Sequence, residues 1–154
     1  MRDKEFFERV DVIKNRLYKI AYSYMGNESI AVDAVDEAIY KGYVKKHQLK
    51  KEEFFETWLT RILINICNNL CKKKGKEVDL ELLSEASVQE EFDQMSLKFA
   101  IESLPTNMKE IIILHFFGGY TVVETAKILE IPQGTVATRL RKSLSLLRLE
   151  MEVE

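Results

Sequence analysis

The sequence contains few residues that bind metals or form disulfides. Two cysteines and two histidines occur among 154 residues. Cys67 and Cys71 are four residues apart, so on a helix they would share a face, where backbone geometry disfavours a disulfide between them. His47 and His115 lie far from both cysteines in the chain, and a zinc site would need further ligands. We therefore expect two reduced, half-buried thiols, no metal and no other cofactor.

Long apolar runs are also absent. No stretch approaches the roughly 18 residues that a membrane-spanning helix needs. The first residues, MRDKEFFERV, hold acids where a signal peptide would have an apolar segment. With 46% apolar and 31% charged residues, the composition is that of a globular chain with a core. These features predict a cytoplasmic protein.

The first half of the chain shows three amphipathic helical patterns. Apolar residues recur every three or four positions over residues 3–24, about 28–46 and about 53–73, and Gly26-Asn27 ends the first helix. Residues 77–93 then hold seven acids and no Lys or Arg. We interpret this acidic stretch as a linker between two helical domains.

The second half resumes near Ser96, with a corner at Pro105 and Thr106 as a possible N-cap. The run IIILHFF, residues 111–117, has the propensity of a strand. We predict a helix because Gly118-Gly119 closes the run and no partner strand is visible to satisfy its backbone. The predicted fold class is all-α, with a helical domain over residues 1–76, a linker over 77–95 and a second helical domain over 96–154.

A helix-turn-helix is predicted from Thr121 onward. Thr121 and Glu124 fit a capping box, Ala126 would permit close helix approach, and the chain breaks near Glu130 before a second helix from about Gln133 to Leu149. The start of such a second helix can enter a major groove, where Thr contacts bases and Arg grips guanine. The exposed side chains there are predicted to be Gln133, Thr135, Thr138, Arg139 and Lys142.

The basic charge of this element is local. Residues 131–149 contain four basic residues and no acid, whereas the whole chain has a formal charge of −2, so the remaining residues sum to −6 (−2 − 4). A phosphate backbone responds to potential within a Debye length of about 8–10 Å. The pattern therefore favours DNA binding; the alternative is a helix that packs against a neighbour and carries ordinary solvated basic residues.

Two motif blocks resemble the extracytoplasmic-function group of bacterial sigma factors along nearly the whole chain. The segment LPTNMKEIIILHFFGGYTVVETAKILEIPQGTVATRLRKSL is similar to their region 4. FFETWLTRILINICNNLCKKK is similar to the end of their region 2, and AVDAVDEAIYKGY to the helix before it. The resemblance implies a sigma factor that binds core RNA polymerase, through its β′ clamp and β flap, and directs initiation at promoters. It also implies an anti-sigma factor as a partner.

The resemblance also implies roles for individual residues. The exposed side chains of the second helix would contact the −35 duplex. The polymerase clamp would meet the acidic residues Asp33, Asp36 and Glu37. The −10 element would be handled by His47, Trp58, Arg61, Asn65, Lys72 and Lys73.

Each of these roles has a structural alternative. Asp33 and Glu37 could belong to a solvated acidic face, and the lysines after the third helix also suit the helix dipole. Phe54, Phe55 and Trp58 could stack on unpaired bases or pack in the core; we favour the core for Phe55 and leave Trp58 open.

Four positions depart from the family pattern. Glu130 stands where Gly is common, because the helix ends there in a left-handed conformation; keeping that conformation would cost Glu about 1 kcal/mol. Ala137 replaces a basic or polar residue, Asp36 a usual Gln and Asn69 a usual Asp. These departures affect individual contacts more than the overall interpretation.

Two other classes of protein remain possible at this point. A helix-turn-helix regulator of the response-regulator output type would need only the second half, and a helical adaptor would bind protein rather than DNA. An enzyme is not predicted, because the sequence offers no paired catalytic carboxylates, nucleophile–base set, phosphate loop or metal cluster.

Overall fold

The computed structural model describes residues 1–76 and 92–152, and within these ranges every regular element is a helix. The first half contains α1 (Asp3–Met25), α2 (Glu28–Lys45) and α3 (Phe55–Lys76), with 3₁₀ turns at Lys46–Gln48 and Glu52–Phe54 between α2 and α3. The second half contains α4 (Phe92–Ser103), α5 (Thr106–Ile112), α6 (Val122–Leu129) and α7 (Gln133–Glu152). The all-α prediction is confirmed.

Most of the predicted acidic linker, residues 77–91, lies outside the described residues, and α4 begins at Phe92, before the predicted Ser96.

In the first half, α1, α2 and α3 pack around an apolar core. Phe6, Leu17 and Leu59 are fully buried within it. Gly42 allows α2 to approach α3 closely, since a Cβ atom there would lie 2.8 Å from the Leu59 side chain. Gly26 ends α1 in the left-handed conformation, as its position in the sequence predicts. These contacts fix the orientation of α3, which carries most of the predicted −10 residues.

The ambiguous run 111–117 is helical, as predicted. It completes α5 and continues as one π-helical turn over Ile113–Phe117. Ile111 packs against Ala126 and Val136 in the helix-turn-helix, whereas Ile112, Ile113 and Leu114 join the core shared with the first half. Burial in two directions explains why a helix carries a run of β-branched residues, because packing overrides propensity.

The predicted N-cap at Thr106 is wrong. Pro105 occupies the cap position, without a side-chain hydrogen bond, and Thr106 is the first helical residue. The carbonyl oxygen of Pro105 accepts from the amides of Met108 and Lys109, both at 2.9 Å. The helix therefore begins one residue earlier than the Thr106 hydroxyl would require.

The helix-turn-helix forms as the sequence indicates. The Thr121 hydroxyl accepts from the Glu124 amide at 3.1 Å, and the Glu124 carboxylate accepts from the Thr121 amide at 2.9 Å, which completes the capping box. α6 ends at Leu129 and is capped by Glu130, whose φ of 55° and ψ of 45° are left-handed. The Ile131 amide then donates to the Ala126 carbonyl at 3.1 Å, which closes the turn before α7. Glu130 therefore keeps the strained conformation that favours glycine.

The two halves pack against each other. α6 contacts α3, and the π-helical turn contacts α1. Tyr120, Ile128 and Leu147 belong to the same buried cluster as Phe6 and Leu59, so one apolar core continues from the first half into the second.

We expect Glu130→Gly to raise the free energy of unfolding by about 0.5–1 kcal/mol relative to Glu130→Gln, because glycine adopts the left-handed conformation without strain. Both variants lose the charge at residue 130, so their difference isolates the backbone term. Urea denaturation followed by far-ultraviolet circular dichroism measures it. Equal midpoints for the two variants would show that residue 130 stores no strain.

Candidate nucleic-acid interface

The start of α7 presents an open polar surface. Gln133, Thr138 and Lys142 are exposed, and Thr135 and Arg139 are partly exposed. Four of these five residues line a shallow surface depression together with Pro132 and Gly134; Gln133 lies outside it. A side chain added at Gly134 would meet no other atom within 4 Å. The first turn of α7 is therefore open to an approaching anion, which a helix N-terminus favours.

The opposite face of α7 explains why these residues point outward. Val136 and Ser143 are fully buried, and Leu147 is nearly so. Ile131 and Leu140 are partly buried against Ala126 and Ile111, as predicted. The Ser143 hydroxyl donates to the Arg139 carbonyl at 2.6 Å, which satisfies it inside the helix. Burial of this face holds the five predicted −35 residues on the other side of α7.

Most of the predicted −10 residues lie on α3, and His47 lies in the 3₁₀ turn that follows α2. His47, Asn65, Lys72 and Lys73 are exposed, whereas Arg61 is partly exposed. Arg61, Asn65 and Lys72 follow one another at intervals of four and seven residues, which places them on one flank of the helix.

The aromatic residues at the start of α3 differ in exposure. Phe55 is buried in the core, as favoured, and Phe54 is 40% exposed. Trp58 is partly buried against the core, with its ring 6.2 Å from that of Phe55. Phe54 is therefore the aromatic side chain of this segment most available to stack on a base.

The acidic residues of α2 form an exposed ridge. Asp33, Asp36 and Glu37 are all exposed. Glu37 is paired with Lys41 at 3.2 Å, so the ridge is partly neutralised on its own helix. The pairing offsets part of the repulsion between Asp33 and Glu37, which are four residues apart.

Tyr120 connects the two halves through polar contacts that sequence reasoning missed. Tyr120 is 2% exposed, and its hydroxyl is hydrogen-bonded to the fully buried Thr60 hydroxyl at 3.0 Å. The Arg16 guanidinium lies 4.5 Å from the Tyr120 ring centroid and pairs with Glu56 at 2.9 Å. Burial raises the pKa of the Tyr120 phenol, so it stays neutral at physiological pH. A local sequence pattern carries no signal for these pairs because the partners lie at least 40 residues apart in the chain.

A second polar cluster lies farther along α3. Asn68 donates to the Glu110 carboxylate at 3.1 Å and accepts from the Tyr24 hydroxyl. The buried Lys109 ammonium lies 4.6 Å from the Tyr24 ring centroid and 3.6 Å from Cys71 Sγ. Burial raises the pKa of the Glu110 carboxyl above its ordinary 4.5, although the Asn68 hydrogen bond and the charge of Arg139 act in the opposite direction.

The two cysteines lie beside this cluster. Both are free thiols, with Cys67 buried and Cys71 partly buried. Burial, with a smaller contribution from Cys71, raises the pKa of the Cys67 thiol to about 12, although the Lys109 charge lowers it. Cys67 therefore stays protonated and unreactive at physiological pH.

Arg61 makes the polar contact nearest the turn of the helix-turn-helix. Its guanidinium is paired with the Glu130 carboxylate. The Glu130 side chain is 70% exposed and that of Arg61 is 30% exposed. A residue predicted to bind the −10 strand is thus paired, in this arrangement, with the turn of the helix-turn-helix.

Within the described residues, no helix is long and apolar enough to cross a membrane, and no group of three or more His, Cys, Asp or Glu residues could hold a metal ion. The helix-turn-helix and the exposed basic side chains at the start of α7 are features of an all-helical DNA-binding protein. Comparison with known proteins identifies its family. The family model for sigma-70 region 2 matches residues 10–77, and that for sigma-70 region 4 matches residues 94–147.

Similar proteins support the same assignment. The RNA polymerase sigma factor SigV of Bacillus subtilis is 30% identical over 92% of this chain and 87% of its own length. The extracytoplasmic-function sigma factor SigW of the same organism is 27% identical over 95% of this chain and 88% of its own length. The chain belongs to the sigma-70 family of RNA polymerase sigma factors, in the extracytoplasmic-function group. It binds core RNA polymerase and directs promoter-specific transcription initiation.

Two solved structures share the fold over both halves. The sigma factor RpoE, in complex with the anti-sigma factor NepR from Bartonella quintana, matches with a TM-score of 0.73 and 22% identity, over 98% of this chain and 99% of that one. CnrH, in complex with the cytosolic domain of CnrY, matches with a TM-score of 0.77 and 18% identity, over 99% and 91% of the two chains.

We expect the contribution of Glu110 to the stability of the chain to fall as pH rises above about 4.5, toward the raised pKa of this carboxyl. The folded chain holds this proton more tightly than the unfolded chain does, so the contribution is complete below the ordinary carboxyl pKa and is lost on ionisation. Glu110→Gln keeps an oxygen that can accept from Asn68 and should remove this part of the pH dependence. Urea unfolding between about pH 4 and about pH 8 measures the change.

Glu102→Gln is the matched control, because Glu102 is exposed on α4. It should leave the pH profile as it is. If Glu110→Gln lowers stability equally at every pH, the assignment of this pH dependence to Glu110 is contradicted. The Glu110 carboxylate would then stabilise the fold, whereas we expect its burial to be unfavourable.

Proposed function

We propose that this sigma factor reads the −35 element with the first turns of α7 and handles the −10 element with α3 and the loop before it. The acidic ridge of α2 meets the β′ clamp of core RNA polymerase, and the second half meets the β flap. The observation that carries this division is that two exposed surfaces, one on each half, each combine basic side chains with groups suited to DNA.

At the −35 element, the contacts come from Gln133, Thr135, Thr138, Arg139 and Lys142. Their exposure and the open helix start at Gly134 support this role. Arg139 can bind guanine bidentately, and Thr can meet a base or a thymine methyl group. Lys142, one turn farther along, suits a phosphate, so it contributes affinity more than sequence discrimination.

At the −10 element, a melted strand runs along the flank of α3 that carries Arg61, Asn65 and Lys72. The proposed surface also includes Lys73 on α3 and His47 in the 3₁₀ turn after α2. Basic side chains follow the phosphates, and exposed aromatic rings supply stacking worth about 1–3 kcal/mol per base. Phe54 joins this surface because of its exposure. Trp58 has a smaller free face, since part of its ring packs on the core.

Polymerase docking uses the ridge of Asp33, Asp36 and Glu37. Acidic residues exposed on one helix face suit a basic partner surface, and the attraction would be screened by salt. The similar structures RpoE and CnrH are both bound to partner proteins, an anti-sigma factor in the first case. We extend this to the present chain: an anti-sigma factor holds it inactive in the cytoplasm, where it has no catalytic chemistry of its own.

The function is tested by adding the purified chain to core RNA polymerase and a promoter library. We expect promoter-specific transcripts that neither component gives alone. A chain that binds duplex DNA but not core polymerase would instead be a stand-alone helix-turn-helix regulator, and a chain that binds neither would be an adaptor. Sequencing the transcript starts identifies the −10 and −35 elements at the same time.

We expect Arg139→Ala to weaken binding of the holoenzyme to a −35 duplex by about 1–3 kcal/mol and to relax the preference for the base that it contacts. Arg148→Ala is the matched control, because it removes the same side chain from an exposed position near the other end of α7. Fluorescence anisotropy with labelled duplexes measures both. Binding to core polymerase should be unchanged, and an equal loss of DNA and polymerase binding would point to misfolding.

A further inference from the structure

Packing of the second half on α3 restricts the proposed −10 surface. α6 lies against α3, and Thr60, Arg61 and Asn68 on α3 all bond to residues of the second half. Thr60 and Asn68 belong to the buried contact between the halves. Arg61 lies at its edge, on the same flank as the exposed Asn65 and Lys72. The Glu130 carboxylate therefore enters the border of the surface that would bind the melted strand.

This arrangement is not the one that contacts both promoter elements. The promoter positions after which the −35 and −10 elements are named differ by about 25 base pairs, which is about 85 Å of B-form DNA. A compact chain of this length has a radius of gyration of only about 15 Å. The halves must separate before α7 and α3 can occupy the two elements together. Separation breaks the Arg61–Glu130 pair and returns Arg61 to the DNA surface.

The Glu130 side chain has no part in forming its own turn. The turn is closed by backbone hydrogen bonds, from the Ile131 amide to Ala126 and from the Glu130 amide to Lys127 at 3.4 Å. Any residue could supply these bonds, and glycine could do so without strain. Between the described halves, the Glu130 carboxylate forms an ion pair with the Arg61 guanidinium.

We propose that Glu130 is an autoinhibitory residue: in the closed arrangement its carboxylate takes the place of a DNA phosphate on Arg61, and it releases Arg61 only when the halves separate. The proposal rests on the assignment of Arg61 to the −10 surface. A carboxylate suits this role because guanidinium binds carboxylate and phosphate oxygens in the same geometry.

The expected effect is modest. Both side chains retain access to solvent, and exposed ion pairs of this kind change an equilibrium about two- to fivefold. The pair competes with DNA for Arg61, whereas cohesion between the halves comes from the buried contacts around Tyr120. Salt should therefore weaken the competition without opening the structure.

The experiment uses the full chain and a fluorescently labelled single-stranded oligonucleotide carrying the −10 strand of a promoter from which the holoenzyme initiates. We expect Glu130→Gln to raise the affinity of the free chain for this strand about two- to fivefold at low salt, and less at high salt. Glu102→Gln, which removes the same charge from α4, should leave the affinity unchanged. In the holoenzyme, where the halves are separated, Glu130→Gln should have no effect.

Arg61→Gln separates this mechanism from simple repulsion. If Glu130 acts through Arg61, then Glu130→Gln gives no gain in the Arg61→Gln background. A gain that persists there, that appears equally in the holoenzyme, or that is absent from the free chain overturns the proposal. A holoenzyme whose −10 affinity is unchanged by Arg61→Gln overturns the assignment of Arg61 itself, which is a different result from loss of the competition alone.

Discussion

The closed arrangement depends on the burial of one tyrosine. Tyr120 follows the left-handed Gly119, and its side chain enters the first half, where it meets Thr60 and Arg16. An aromatic side chain of this size buries about 150–250 Å² and dominates the energy of a contact, provided that its hydroxyl finds a partner. Thr60 supplies that partner inside the core, so the ring and the hydroxyl are satisfied together. Two further pairs, Asn68 with Glu110 and Arg61 with Glu130, join α3 to the second half along the same contact.

Basic and acidic side chains are concentrated on different surfaces of this molecule. The basic residues of α7, on the proposed −35 surface, and the acidic ridge of α2 lie on different halves of the chain. A formal charge of −2 for the chain therefore says little about how it meets DNA. Only the potential within about 8–10 Å of a surface matters at physiological salt. Under the proposed assignment, the chain presents basic side chains to DNA and acidic side chains to the polymerase.

Local chemistry was predictable from the sequence, and the contacts between the halves were not. The capping box at Thr121 and Glu124 and the left-handed end of α1 at Gly26 each depend on residues within four positions. The N-cap at Thr106 was wrong because Pro105 supplies the first helical carbonyl, a choice between adjacent residues that propensity does not decide. Thr60 and Tyr120 are 60 residues apart, and no periodicity links them. The exposed face of α7 was predictable because burial of Val136 fixes the opposite face. The base that each exposed side chain contacts depends on the sequence of the DNA, and the protein sequence does not carry that information.

The energies at Glu130 argue that its side chain is not there for stability. A non-glycine residue in the left-handed conformation costs about 1 kcal/mol. The exposed pair with Arg61 returns about 0.2–1 kcal/mol, so the two contributions cancel at best. Glycine would form the same turn at no such cost, since the backbone makes every hydrogen bond that closes it. What glycine cannot supply is a negative charge at the edge of α3. The Glu130 side chain therefore changes the stability of the fold very little, yet its charge changes which partner Arg61 binds. This is the property expected of a residue that regulates access to a surface.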